Sequence, residues 1–443
     1  MLVDPRFEPV IYRGRIVNPR LDGSCEEFRH GCLVVGGDGR IIDCGCWEDV
    51  KRRLDFTARV PVVDFGSQLL LPGFVDLHLH FPQFDCRGMY ADSLLTWLKK
   101  HIYPVEARFS DSNLARNTAK RLLHELASCG TTTAVIFSSV HAEATDILFE
   151  EAANSGLRAI IGKVLMDEGG EVPRSLLQEW RIGIEESIAL CKKWHGASDG
   201  RLYYAFSPRF AVTCSEQLMI TAGTAAREYG AYIQTHVSET LEEVDFVRKR
   251  FPHRRNYVDV YNSAGLLGER TILAHAIHFE DDEFKIVGES GAKVAYCPSS
   301  NFFLKSGTMN LRKMHQNRIT VGLGSDIGAA PSASLLSVMR DGIYMQPQWV
   351  QPREMLAMAT IRGATALGLD ERIGSLEQGK DADFIVADPS PLSGRWREIE
   401  GDLDDVLSLM VFRDIGQVVA RAFVKGEEVY RGISAGFEDC AIQ

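Results

Sequence analysis

No part of this 443-residue chain approaches the ~18 consecutive apolar residues of a membrane span. The opening Met1-Leu2-Val3-Asp4-Pro5-Arg6 has neither the basic patch nor the long apolar core of a secretory leader. We therefore expect a cytoplasmic protein with no membrane partner. Basic charge is in short supply: 49 Lys and Arg stand against 60 Asp and Glu, a formal net charge of -11. That balance argues against a nucleic-acid partner, because phosphate binding needs a basic stripe. Cysteine is present without organisation, ten residues with no C-x-x-C pair and no compact disulfide framework, which fits a reducing compartment. Cys44 and Cys46 form a C-x-C that we read as packing. Low-complexity tracts and short repeats are also missing.

What remains is a globular composition, 45% hydrophobic and 25% charged, enough for a large core. The length exceeds one ordinary domain, although an α/β barrel reaches about 250 residues as one unit. From Val10 to Asp64 the pattern is short strands and turns, with Gly36-Gly37-Asp38-Gly39 as a hairpin signal. Similar strands recur at 381–387 and 417–426, so a small β-sandwich built from both termini is expected, over 1–68 and 372–443. Between them, over 69–371, apolar strands alternate with amphipathic helices. We place strands at 70–80, 131–137, 158–166, 202–206, 232–236, 271–275, 293–297 and 319–324. Helices at 112–128 and 215–229 start on Ser or Asp caps and stop at Gly130 and Gly230. Eight strand-helix units predict an α/β fold, a (β/α)8 TIM-like barrel.

In such barrels the chemistry sits at the carboxyl ends of the strands. His78 and His80 end the first strand, and being two apart they share a face. His236 ends the fifth, His275 the sixth, and Asp326 follows the eighth. His80 and His236 are 156 residues apart, four units of about 39, and His236 and His275 are 39 apart, one unit. Five distant side chains thus converge on one mouth. Neutral imidazole is the commonest metal ligand. His78, His80 and His236 are read as nitrogen ligands of one zinc ion, with iron or manganese also compatible. Asp326 either ligates weakly or takes the proton of the metal-activated water. Glu239, three residues beyond His236, is placed to shuttle protons.

The segments Pro72-Gly73-Phe74-Val75-Asp76-Leu77-His78-Leu79-His80, His236-x-x-Glu239, His275, Ser325-Asp326 and Gly379-Lys380-Asp381-Ala382-Asp383 together resemble the amidohydrolase superfamily in its aminohydrolase branch. His80-Phe81-Pro82-Gln83, Ser207-Pro208-Arg209-Phe210 and Tyr296-Cys297-Pro298-Ser299-Ser300-Asn301 are similar to the guanine-deaminating members of that branch. The resemblance runs from the early strands to Val429. It implies hydrolytic deamination of guanine to xanthine and ammonia by a metal-activated water, in a homodimer. Gln83 and Arg209 would bind the purine's polar edge and Phe210 would line the pocket, with His80, His236 and Glu239 also facing the substrate. Glu239, His275 and Asp326 would be the catalytic residues, His275 through a hydrogen bond to the attacking oxygen. Another aminated ring, 8-oxoguanine, a pterin or a triazine, is the alternative substrate, and a non-catalytic binding barrel the rival from another class. Lys163 could suggest a carbamylated bridge between two metals, but its place on the third strand favours one metal. His278-Phe279-Glu280 lacks the P-C-x-x-C of the cytidine-type deaminases, so His278 is read as structural. Trp97, among apolar neighbours at helical spacing, is read as helix packing.

Overall fold

The computed structural model describes residues 9–54, 60–169, 172–392, 402–413 and 418–432. The N-terminal part contributes β1 (Val10–Pro19), β2 (Cys25–Val35), β3 (Ile41–Cys46) and β4 (Val62–Pro72). The barrel strands are β5 (Phe74–His80), β6 (Thr131–Phe137), β7 (Arg158–Gly162), β8 (Val164–Leu165), β9 (Leu202–Pro208), β10 (Tyr232–Val237), β11 (Thr271–His275), β12 (Lys293–Tyr296) and β13 (Val321–Leu323). The chain returns through β14 (Phe384–Ala387), β15 (Val419–Val424) and β16 (Glu427–Arg431).

β1 to β4 and β14 to β16 form one seven-stranded sheet in the order β16-β15-β14-β4-β1-β2-β3. Every neighbouring pair is antiparallel except β1 and β4. The sheet encloses its own core, where the rings of Phe384 and Phe423 stack 4.3 Å apart beneath Tyr12. The Gly-Asp-Gly hairpin belongs to this joint between the chain's two ends. A Cβ on Gly39 would lie 2.1 Å from the carbonyl oxygen of Lys425, so only glycine permits the approach. Of the strand expected at 417–426, Gln417 lies outside the described residues.

The second sheet is a barrel of eight parallel strands in chain order, β5 to β13, with β8 continuing the line of β7. The strand expected at 70–80 is two strands in two sheets. It breaks at Gly73, where a Cβ would sit 2.1 Å from Thr132 Oγ1, so the chain crosses from the seven-stranded sheet to the barrel at a residue without a side chain. The strand expected at 158–166 likewise breaks at Lys163. β13 makes no ladder with β5. The loop after it closes the ring, Asp326 N donating to His78 O (2.8 Å) and Ser325 N to Asp76 Oδ1 (2.9 Å).

Helix Ser112–Ser128 is capped by Asp111, and helix Glu216–Tyr229 by Ser215, with Gly230 left-handed at its end. Helix Leu403–Arg413 interrupts the return to the sheet and buries Val406, Leu407 and Met410 against the barrel helices Leu335–Met345 and Pro352–Met358. No helix among the described residues is long and apolar enough to cross a membrane.

Candidate active site

His78 and His80 close β5 on one face, His236 lies near the end of β10, and His275 ends β11. The ring of His78 lies 4.9 Å from that of His80, 4.8 Å from His236 and 5.5 Å from His275. Asp326, in the closing loop, brings Oδ1 to 3.4 Å from His78 Nε2 and 3.6 Å from His80 Nε2, with Oδ2 4.0 Å from His275 Nε2. The structure therefore assembles the five residues that sequence spacing brought together. Ser238 (φ 49°), His275 (φ 73°), Ala276 (φ 50°) and Asp326 (φ 51°) all have left-handed backbones at these strand ends. Such conformations cost on the order of 1–3 kcal/mol each and gather at functional sites.

The surroundings fix the proton positions. Arg209 O lies 2.7 Å from His236 Nδ1. A carbonyl only accepts, so Nδ1 carries the hydrogen and Nε2 keeps its lone pair. That lone pair faces His80 Nε2 at 3.0 Å. His275 Nδ1 donates to Asn301 Oδ1 (2.9 Å), freeing its Nε2 in the same way. His78 Nε2 is buried beside Asp326 Oδ1, 3.4 Å away. Burial, reinforced by the neighbouring imidazoles, holds His80 and His236 well below the usual histidine range, and burial also lowers His78. Burial alone would raise Asp326, but the hydrogen bond and charge of His78, then His275 and His80, hold it well below the carboxylate range. Buried, unprotonated nitrogens pointing at one another beside a carboxylate fit a divalent cation, and two tight clusters, His78 with His236 and His275 and His78 with His80 and Asp326, have the required spacing.

Acid-base groups surround this cluster. Glu239 Oε2 lies 3.5 Å from His275 Nε2, and Oε1 accepts from Ser306 Oγ (3.0 Å). Burial pushes Glu239 up to about 7. Burial also opposes protonation of His275, but the carboxylates of Glu239 and then Asp326 outweigh it and raise that histidine. Behind Glu239, Glu243 completes a capping box with Thr240, accepts from the Glu239 N–H (2.9 Å) and takes a hydrogen bond from Tyr257 OH (2.6 Å). Asp76 accepts from the N–H groups of His78 and Ser325 (3.2 and 2.9 Å) and so ties β5 to the loop that carries Asp326.

One cavity opens over the cluster. His80, Gln83, Arg209, Phe210, His236, Glu239, His275 and Asp326 line it, so every residue assigned a substrate role from sequence lies on its wall. Its apolar side is Leu94, Trp97, Leu98, Leu304 and Ala329. Trp97 packs in its helix as expected, its Nε1 donating to Met89 O (2.8 Å), but one face also borders the cavity. The π-helical turn Leu98–Ile102 lies in the same segment, a distortion frequent at functional sites. Two groups stand apart. Lys163 Nζ donates to Gln178 (2.6 Å) and pairs with Glu186 (3.3 Å), away from the histidines. His278 Nε2 donates to Ser306 O (2.8 Å), which steadies the loop whose hydroxyl reaches Glu239.

Sequence reasoning gave no role to Glu106, Glu243, Asn301 or Ser306. Glu243 had a readable signal, the Thr240-x-x-Glu243 capping box. Glu106 and Ser306 had none, since each acts through partners 23 to 103 residues away.

The family model for the amidohydrolase family matches residues 69–429. The guanine deaminase of Escherichia coli (strain K12) is 36% identical over 421 residues, covering 94% of each chain. The solved structure of E. coli guanine deaminase superposes with a TM-score of 0.90 at 33% identity, covering 95% of this chain and 99% of that one. Guanine deaminase from C. acetobutylicum, solved with guanine in its active site, superposes with a TM-score of 0.88 at 29% identity, covering 95% and 100%.

Proposed function

The chain belongs to the amidohydrolase family, and from that premise we propose that it hydrolyses guanine to xanthine and ammonia. The observation that carries this reading is coincidence: guanine deaminases match 94% to 95% of the chain, and Gln83 and Arg209 lie on the same cavity wall as the histidine-carboxylate cluster.

His78, His80, His236 and Asp326 are proposed to hold one divalent ion, zinc by preference, with iron or manganese also suited to these donors. When bound, such an ion supplies the acidification of a water molecule. Asp326 accepts a proton from the attacking water. His275 hydrogen-bonds the incoming oxygen, its Nδ1 anchored on Asn301. Glu239, poised near neutrality by burial, passes a proton to the ring nitrogen beside C2 and then to the departing amine. The water oxygen bonds to C2, the C2–N bond breaks, and ammonia leaves. Arg209 donates to the 6-oxo group, and Phe210 with Leu94, Trp97 and Leu304 excludes water from the ring.

We further propose a cytoplasmic homodimer. Cys25, Cys32, Cys44, Cys46, Cys86, Cys191, Cys214 and Cys297 are free thiols, which supports the reducing compartment. Trp349, 99% exposed, marks the surface to examine for the dimer by light scattering. The function is tested by following ammonia release from zinc-loaded protein offered guanine, adenine, 8-oxoguanine, a pterin and an aminotriazine. Guanine is expected to dominate the panel. Metal-loaded protein that releases no ammonia from guanine would overturn the reading.

A further inference from the structure

Outside the residues that match the family's motifs, one buried charge touches two of the cavity's polar groups at once. Glu106 ends the short helix Tyr103–Glu106 and is 5% exposed. Its Oε1 accepts from Gln83 Nε2 at 2.9 Å and its Oε2 from Arg209 Nη1 at 2.6 Å. Gln83 and Arg209 are themselves buried, and both line the cavity. We propose that Glu106 is a positioning residue that sets which ring the cavity accepts, by fixing the polarity of the Gln83 amide and the direction of the Arg209 guanidinium. The proposal rests on the guanine-deaminating reading above.

The argument is one of donors and acceptors. A carboxylate paired with arginine offers acceptors only, so the atom of Gln83 that faces it must be the amide nitrogen. The amide's carbonyl oxygen is thereby committed to the other side, against Gly328, where an added Cβ would lie 2.6 Å from it. Without Glu106 the amide could turn over, because its two ends are almost the same shape. The arginine is held by the same carboxylate and keeps its remaining N–H groups for a ligand.

Arg209 and Gln83 thus present a donor beside an acceptor in one fixed order. The 6-oxo and N1–H of guanine present the complementary order. A ring with an amine at C6 and a bare N1 presents the reverse, and it meets donor against donor and acceptor against acceptor. A site built around hydrogen-bonded groups rejects such mismatches by about 10⁴-fold, far beyond what shape alone achieves.

The test compares guanine with 2,6-diaminopurine, which keeps the C2 amine but reverses the C6 and N1 pattern, in native protein and in the isosteric Glu106→Gln variant. Glu106→Gln can offer either end of its own amide, so Gln83 is no longer constrained. The expected result is a loss of about 30-fold or more in kcat/KM for guanine, carried mainly by KM, while the guanine to 2,6-diaminopurine preference falls by about 100-fold. Equal losses on both rings, with the preference unmoved, would reduce Glu106 to a structural role and overturn the proposal.

Should Glu106→Gln fail to fold, Glu106→Asp carries the same comparison with a shortened reach. A second measurement repeats Glu106→Gln in a Gln83→Ala background, where its effect on the preference should shrink at least about fivefold, as coupled residues require. An undiminished effect there would also overturn the proposal. Native protein that leaves guanine untouched would defeat the functional reading itself, whereas native turnover with an unmoved preference in the variant defeats only the role of Glu106.

Discussion

The barrel buries charge at both of its ends and treats it in opposite ways. At the end facing the sheet, Arg158, Asp381 and Asp383 are all 3% exposed or less. Arg158 donates to Asp383 Oδ2 (2.5 Å) and Asp381 Oδ2 (2.6 Å), and Arg372 donates to Asp381 (2.8 Å). Two cations meet two carboxylates, and the Lys425 N–H supplies a further hydrogen bond to Asp383 (2.9 Å). At the mouth, four imidazoles and the carboxylates of Asp76, Glu239 and Asp326 crowd together, and among the described residues no lysine or arginine pairs with these three carboxylates and Asp76 Oδ2 has no hydrogen-bond partner. The first end is satisfied by protein alone and ties the barrel to the seven-stranded sheet. The second is left without a counter-charge from lysine or arginine, as a cation site would be. Stability and function have been separated along one axis.

The largest expected effect breaks the mouth. His236→Ala should abolish guanine turnover, a loss of about 10⁴-fold or more, and lower the bound metal measured by elemental analysis. Stability of the metal-free protein should change by no more than about 2 kcal/mol, because the lost Nδ1–H bond to Arg209 O is offset by removing a desolvated ring whose Nε2 faces another lone pair. Substantial unfolding of the metal-free variant would show that the mouth, like the opposite end, is a structural cluster.

Glu239→Gln sharpens the contrast by moving activity and stability in opposite directions. Turnover should fall by about 10²–10⁴-fold with metal retained. The folded-state carboxyl is raised from 4.5 to about 7 by burial, so the folded protein holds a proton that the unfolded chain has released, and stability falls as pH rises from 4.5 through 7. Glutamine lacks this penalty. Metal-depleted Glu239→Gln should therefore be more stable than its parent at pH 8 by up to about 3 kcal/mol in urea titrations, and the advantage should vanish below pH 4.5.

Arg158→Ala probes the opposite end. Removing the one residue that bridges both carboxylates leaves buried charge uncompensated, and about 3–5 kcal/mol of stability should be lost. Turnover per folded molecule should be unchanged. Arg158→Ala protein that is stable but inactive would contradict the division.

How far each end was legible in the sequence follows from the range of its interactions. The mouth was readable because barrel chemistry gathers at strand carboxyl ends, so His78 and His80 ending one strand, His236 and His275 one 39-residue unit apart and Asp326 after the last strand could be brought together without any knowledge of packing. Strand limits were less so. Pro72-Gly73 signals a break in the apolar run from Leu69 to His80, but not that the chain passes there from one sheet to another, since the cause is Thr132, pressed against Gly73 from β6. Closure by the loop after β13, in place of a ladder, was hidden for the same reason. The pairs of Arg158 with Asp381 and Asp383, like that of Arg209 with Glu106, join residues more than 100 positions apart, and charge pairs at that distance leave no local pattern.

The smallest effect concerns Lys163, which interrupts the line of β7 and β8 at the rim yet belongs to neither charged cluster. Its fully buried amine keeps one hydrogen bond to Gln178 and the partly exposed Glu186, and burial lowers it from 10.5 to about 8. Below pH 8 the folded protein carries a desolvated cation, and between 8 and 10.5 the unfolded chain binds more protons than the folded one, so stability rises with pH across that window. Lys163→Met keeps the volume and removes the cation, while water can solvate the exposed side of Glu186. The two changes nearly offset, and the net effect on stability should be within about 1 kcal/mol, most favourable to Lys163→Met below pH 8 and fading by pH 10.5. Metal content should stay at one ion per chain. A drop in bound metal for Lys163→Met would make this lysine part of the metal centre and would extend the unsatisfied end of the barrel across its rim.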